Sequence, residues 1–175
     1  MKHKRLVRLT LTAVLAAAAL ALSFLERTLT AGLPFPPGIK PGLSNVIVMF
    51  ACSALGLPFA LGIAAVKSGF AFLISGAAAG FISLAGGIFS VVMMFVLLKL
   101  NKKNRMSYAG ISVLSAVTHN AGQLAAASLI AGSALYLSYA PVLLVSGIIF
   151  GLITGVILNS VMPAVIKKGF DFFNI

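Results

Sequence analysis

Residues 76–98 read GAAAGFISLAGGIFSVVMMFVLL, and Lys99-Leu100-Asn101-Lys102-Lys103-Asn104-Arg105 follows at once. A chargeless run of this length can cross the hydrocarbon core of a bilayer as one helix. The abrupt basic cluster behind it is the kind that stays on the cytoplasmic face. These two neighbours decide the fold class: an all-α polytopic membrane protein. The rest of the chain repeats the pattern.

Upstream, residues 58–75 form another apolar run, with Pro58 at an N1-like helix-opening position. Before it, 43–57 is a shorter apolar stretch, and 6–25 is the first. Downstream, 107–131 and 141–162 complete six spans, Pro141 opening the last. Neither an internal repeat nor a hydrophilic linker interrupts them, so 1–175 is one six-helix transmembrane domain.

Composition agrees. The chain is 61% hydrophobic and 9% charged, where a soluble domain carries roughly 25% charge. Lys and Arg total 13 against two acids, for a formal charge of +11. In a soluble chain that excess would point to nucleic acid. Here it sits in clusters between apolar spans, so no nucleic-acid partner is expected. Lys2, Lys4, Arg5 and Arg8 precede the first span, four basic residues follow the fourth, and Lys167 and Lys168 follow the sixth. Only Arg27 and Lys40 fall on the other side, with Lys67 inside a span. The positive-inside rule places both termini in the cytoplasm.

The basic start also raises the question of a signal peptide, with Ala19-Leu20-Ala21 as a weak cleavage site. The apolar run exceeds the 7–15 residues usual for such a segment, which favours a retained helix. Residues 27–42 hold four prolines and cannot form one helix. This loop lies outside under the orientation above, and its apolar character suits folding back onto the protein.

Glu26 and Asp171, at opposite ends of the chain, make no acidic motif. Sites that hold Mg²⁺ through several carboxylates, and glycosidase pairs, are thereby disfavoured. Cys52 is alone in an apolar run and reads as a small core residue. His3 is terminal and His119 has no ligand cluster around it, so no metal site is expected. No glycine-rich phosphate loop precedes Lys67-Ser68. Neither an enzyme nor a cofactor is expected, and energy for transport would come from another subunit.

Polar groups at membrane depth are the candidate site. Lys67 lies about 15 Å from the inner end of its helix, near the midplane. A buried ammonium costs a few kcal/mol or more there. With Glu26 assigned to the outer end of helix one, beside Arg27, the sequence shows no acid at matching depth. Lys67 therefore meets either an anionic ligand or internal groups such as backbone carbonyls or Glu26. His119, Asn120 and Gln123 share one face by their i+3 and i+4 spacing, about 20 Å from the inner end. They are either ligand contacts or interhelical glue. Asn45 is a ligand contact or, with Ser44, a helix cap. Lys40 is a loop charge or part of the pocket mouth. Ala13, Ala17 and Ala21 form one small-residue face, and Gly147, Gly151 and Gly155 another. Such faces let helices approach closely. Internal packing is the simplest use of both, and the alanine face could instead dock a partner subunit.

The chain resembles the Gx transporter family, also labelled heptaprenyl diphosphate synthase component I. That family is similar to the substrate-binding S-components of energy-coupling factor (ECF) transporters. The resemblance covers nearly the whole chain. It is carried by Pro36-Pro37-Gly38-Ile39-Lys40-Pro41-Gly42-Leu43-Ser44-Asn45, by Ser83-Leu84-Ala85-Gly86-Gly87, and by His119-Asn120 with Gly122-Gln123. The family usually has Leu-Gly-Leu-Ala-Asn where this chain has Pro41-Gly42-Leu43-Ser44-Asn45. It usually carries arginine at Lys67, so the charge stays while two-pronged recognition is lost. The synthase label conflicts with the residues, since the Asp-rich motifs of prenyl diphosphate synthases are absent.

The resemblance implies an S-component-like bundle in a bacterial cell membrane. It implies an outward-facing pocket for a small vitamin-like or precursor molecule, lidded by the loop after helix one. It also implies docking, through helix one, to a transmembrane coupling subunit driven by two ATPases. Lys67 would neutralise an anionic group of the ligand. His119, Asn120, Gln123 and Asn45 would bond its polar part. The alternative reading is a non-transporting anchor subunit of a redox or isoprenoid/quinone-related complex.

Overall fold

The computed structural model describes residues 2–30, 32, 42–101 and 106–167. Among them are six α-helices: α1 Lys2–Thr30, α2 Asn45–Leu55, α3 Leu57–Ser75, α4 Ala77–Leu100, α5 Tyr108–Ala131 and α6 Ala140–Lys167. A 3₁₀ segment, Ala134–Tyr139, leads into α6. Four stretches are long and apolar enough to cross a membrane: Leu6–Leu29, Leu57–Ser75, Ala77–Leu100 and Ala134–Lys167. The chain is a multi-pass helical membrane protein.

The other two helices depart from that pattern for different reasons. α5 is as long as α4, but Ser112, Ser115, His119, Asn120 and Gln123 lower its hydropathy, and all five are buried. Its polar face is turned into the bundle. α2 has 11 residues, about 16 Å of helix, too short to span alone. Nine of those residues are buried, and α1, α3, α4 and α6 all touch it. A short helix is stable at membrane depth only where protein shelters its ends.

Several boundaries differ from the sequence reading. α1 runs on to Thr30, beyond the expected end at 25, because no proline occurs before Pro34. α6 continues through Pro163 to Lys167, past the expected end at 162. Residues 33–41, most of the expected lid, lie outside the described residues.

α3 and α4 form a tight hairpin through one residue. Gly76 donates its N–H to the Phe72 carbonyl at 3.0 Å, and its carbonyl accepts from Gly80 at 3.2 Å. Its φ of 88° is one that a side chain would strain. α4 then packs on α5, and α5 on α6. At the last contact a Cβ on Gly151 would come within 2.6 Å of the Val113 Cα, and one on Gly155 would strike Ala109. Gly147 faces Val117 and Asn120. Lipid offers no hydrophobic drive between helices, so this close backbone approach supplies much of the association.

Large apolar side chains such as Leu73, Phe81, Leu129 and Val156 point outward. The core is built around Val48, Met49, Cys52, Ile63, Met94 and Leu158, with Cys52 fully buried as a small core residue. α1 is peripheral and touches α2 and α3. It buries Ala19, Ser23 and Glu26 on one face, while Ala13, Ala17 and Ala21 are exposed on the other.

Candidate functional site

Of the charged side chains among the described residues, only Glu26 and Lys67 are buried, at 3% and 4% exposure. The spacing Ala19, Ser23, Glu26 puts the carboxylate on the inner face of α1. There it meets the start of α2. The first amides of a helix have no partner within it and carry partial positive charge. Glu26 accepts from the Gly42 N–H, from Leu43 N–H at 3.0 Å and from Ser44 N–H at 3.4 Å. It thus holds, from another helix, the turn that leads into α2, whose first amides, Asn45 and Val46, donate to the Gly42 and Leu43 carbonyls. Ser44 occupies the cap position but makes no side-chain cap bond to its own helix.

The Ser44 hydroxyl instead donates to Glu26 Oε2 at 3.1 Å and accepts from Lys67 Nζ at 3.3 Å. This corrects the depth assigned to Glu26 and the premise that Lys67 has no resident anion nearby. Arg27 donates to Ser75 Oγ at the end of α3. The role of Glu26 therefore extends well beyond a local pair with Arg27.

Gly42 joins this network to the second polar group. Its φ is 99°, and a Cβ there would lie 3.7 Å from His119 Cδ2 and 4.0 Å from Asn45 Cβ. Asn45 and His119 therefore flank one point at the start of α2. Both are 2% exposed. Neither carboxamide atom of Asn45 has a hydrogen-bond partner, and neither does His119 Nδ1. Lys67 reaches the same turn through its bond to Ser44 Oγ.

The segment 83–87 of α4 explains the rest of the geometry. A Cβ on Gly86 would sit 2.6 Å from Gln123 Cγ and 3.0 Å from His119 Cε1. The missing side chain lets α5 press His119 and Gln123 against α4. Gly87 faces Ala64 of α3, and the hydroxyls of Ser68 and Ser83 meet at 3.5 Å. One motif thus fits α4 between α3 and α5.

The structure brings together Lys67, Asn45, His119 and Gln123, with Glu26, Ser44, Gly42 and Gly86 added. It separates Asn120, which does not share the His119–Gln123 surface. Its Nδ2 donates to the Leu143 carbonyl at 2.7 Å and to Ser146 Oγ at 3.2 Å, both on α6. One residue step turns a helix by about 100°, which is enough to change its neighbour. Lys40 lies outside the described residues. Among those residues, no three His, Cys, Asp or Glu side chains come together as a metal cluster would require.

A model of the heptaprenyl diphosphate synthase component I family matches residues 15–161. The chain belongs to that family. The matched region of this family member contains every residue of the group just described, from Glu26 to Gln123. No curated protein and no solved structure matches the chain. The family name mentions a synthase, and the chain's two acids are not the paired, Asp-rich set that Mg²⁺-dependent diphosphate chemistry uses.

Sequence reasoning offered Glu26 as one internal partner for Lys67 and Ser44 as a cap of α2, but did not join the two through one hydroxyl. The available signal was the inward spacing of Glu26 with Ser23 and Ala19. Gly42 and Gly86 stood inside quoted motifs, but contacts across helices were needed to give them meaning.

Proposed function

We propose that this family member is the substrate-capturing membrane subunit of an ECF-type uptake system. Both termini face the cytoplasm of a bacterial cell, and a small vitamin-like or precursor molecule enters from outside. The observation that carries the reading is the pair of buried, unpartnered polar side chains, Asn45 and His119, beside Lys67. Buried polar groups are nearly always bonded, and leaving one unpaired costs about 1–3 kcal/mol. A ligand would repay that cost. The site adjoins the C-terminal end of the loop after α1, where a lid would act.

The exposed Ala13, Ala17 and Ala21 support docking to a transmembrane coupling subunit, with two ATPases supplying energy. The chain itself does no catalysis in this reading. An anionic ligand loses its main argument, because Lys67 already has Glu26 across the Ser44 hydroxyl.

The family name favours a second reading, an anchor subunit of an isoprenoid/quinone-related or redox complex. Copurification from the native membrane separates the two. A tagged chain should bring down a coupling subunit and ATPases. Recovery of a prenyl synthase or flavoproteins instead would sink the uptake reading.

A further inference from the structure

A hollow of about 270 Å³ lies on α1, lined by Leu6, Val7, Thr10, Leu11 and Val14. Ala19, Ser23 and Glu26 turn inward on this helix, whereas Leu6, Thr10 and Val14 are exposed. The hollow therefore opens away from the bundle. Its lining offers nothing to a polar solute. Thr10 is the one polar residue there, and its hydroxyl donates to the Leu6 carbonyl at 3.1 Å. Small-molecule pockets begin near roughly 300 Å³ and hold a few polar groups that fix orientation. This space is smaller, open and apolar, the shape and chemistry for a stretch of hydrocarbon chain.

The charge around it narrows the occupant. The hollow occupies the first turns of the apolar span Leu6–Leu29, where a membrane helix leaves the headgroup region. The helical register places Lys2 and Lys4 one turn before Leu6 and Val7, and half-buried Arg8 is three residues before Leu11. Arg5 makes a fourth cation in the same stretch. Glu26 is the only acid in α1. It lies about five turns from Arg8, and its carboxylate is taken by the Gly42–Ser44 turn. A neutral lipid or an apolar partner helix would fill the hollow and leave the cations unmatched.

We propose that this end of α1 holds an anionic phospholipid, with one acyl chain in the hollow and the phosphate at the level of Lys2, Lys4 and Arg8. The chain complements the apolar lining, and the negative headgroup complements the cations. Each cation near a membrane surface contributes about fivefold in affinity. The inference stands apart from the capture reading.

The test is native mass spectrometry of the purified full chain in detergent. It is titrated with dioleoylphosphatidylglycerol or dioleoylphosphatidylcholine, which share acyl chains and differ in net charge. One phosphatidylglycerol per chain should bind at concentrations where phosphatidylcholine does not. Arg8→Gln should weaken that first binding about fivefold. Thr10→Trp fills the hollow without changing charge. Displacing two methylenes of the acyl chain should weaken binding about tenfold, and the lipid-free unfolding midpoint should stay put because Thr10 is exposed. Lys102→Gln with Lys103→Gln removes charge elsewhere and should leave the first binding unchanged.

Equal binding of the two lipids would overturn the proposal. So would an equal loss from the Lys102 and Lys103 pair, which would reveal diffuse attraction to charge. Full binding by Thr10→Trp would overturn the hollow as the place of the chain. Dimers that Thr10→Trp disperses, with no lipid preference, would assign the face to a second copy of the chain.

Discussion

Glu26 of α1 and Lys67 of α3 hold opposite sides of a single hydroxyl, that of Ser44 at the start of α2. Three helices thereby meet at one buried oxygen. The arrangement links the peripheral helix, whose outer face carries Ala13, Ala17 and Ala21, to the interior beside His119.

Removing the carboxylate should be costly. Glu26→Gln leaves Lys67 without its nearby anion and replaces a charged acceptor for the Gly42–Ser44 amides with a neutral one. Breaking a buried charge arrangement typically costs about 3–5 kcal/mol. Thermal unfolding in detergent should show a large drop for Glu26→Gln, with much of it recovered in Glu26→Gln combined with Lys67→Met. Additive losses in the double variant would show that the two charges do not depend on each other.

The α5–α6 contact should tolerate no extra volume. Gly151→Val drives a branched side chain against the Val113 backbone and should cost about 1–3 kcal/mol, as overpacking does. Gly62 of α3 has nothing within 4 Å of its Cβ position. Gly62→Ala should therefore be neutral or raise stability by about 0.5–1 kcal/mol. Equal effects at the two sites would count against the packing account.

Asn120 should behave as a structural residue. Asn120→Leu loses the bonds to Leu143 and Ser146 on α6 and should cost about 0.6–1.7 kcal/mol, the range for interhelical bonds in membranes. Thermal unfolding in detergent should show the drop. An unchanged midpoint would return Asn120 to the ligand site.

The alanine face of α1 should matter to partners and not to folding. Ala17→Leu adds bulk on an exposed surface, so the isolated subunit should unfold as the wild-type protein does. Its recovery with a coupling subunit should fall severalfold. Unchanged recovery would place docking elsewhere.

Much of this architecture was readable from one dimension. Apolar runs, prolines and basic clusters mark membrane helices through chemistry that acts locally, on length, backbone donors and charge. They led to all six helices, although α1 and α6 extend further than proline and polarity alone suggested. The buried polar residues were legible for the same reason: a Lys, a His or an Asn within an apolar run is costly wherever it points.

Direction is what a linear reading lacked. His119 and Asn120 are neighbours in the chain, yet one presses on α4 and the other bonds to α6. Glu26 looked like a residue at a helix end until α1 was seen to turn it onto the amides of the turn before α2. Such pairings depend on how helices rotate and how near they lie. Those quantities are set by close contacts such as Gly86 against Gln123 and Gly151 against Val113, between residues far apart in the chain. Membrane residence and helix number are properties of single segments, whereas the company each polar group keeps is a property of the packed bundle.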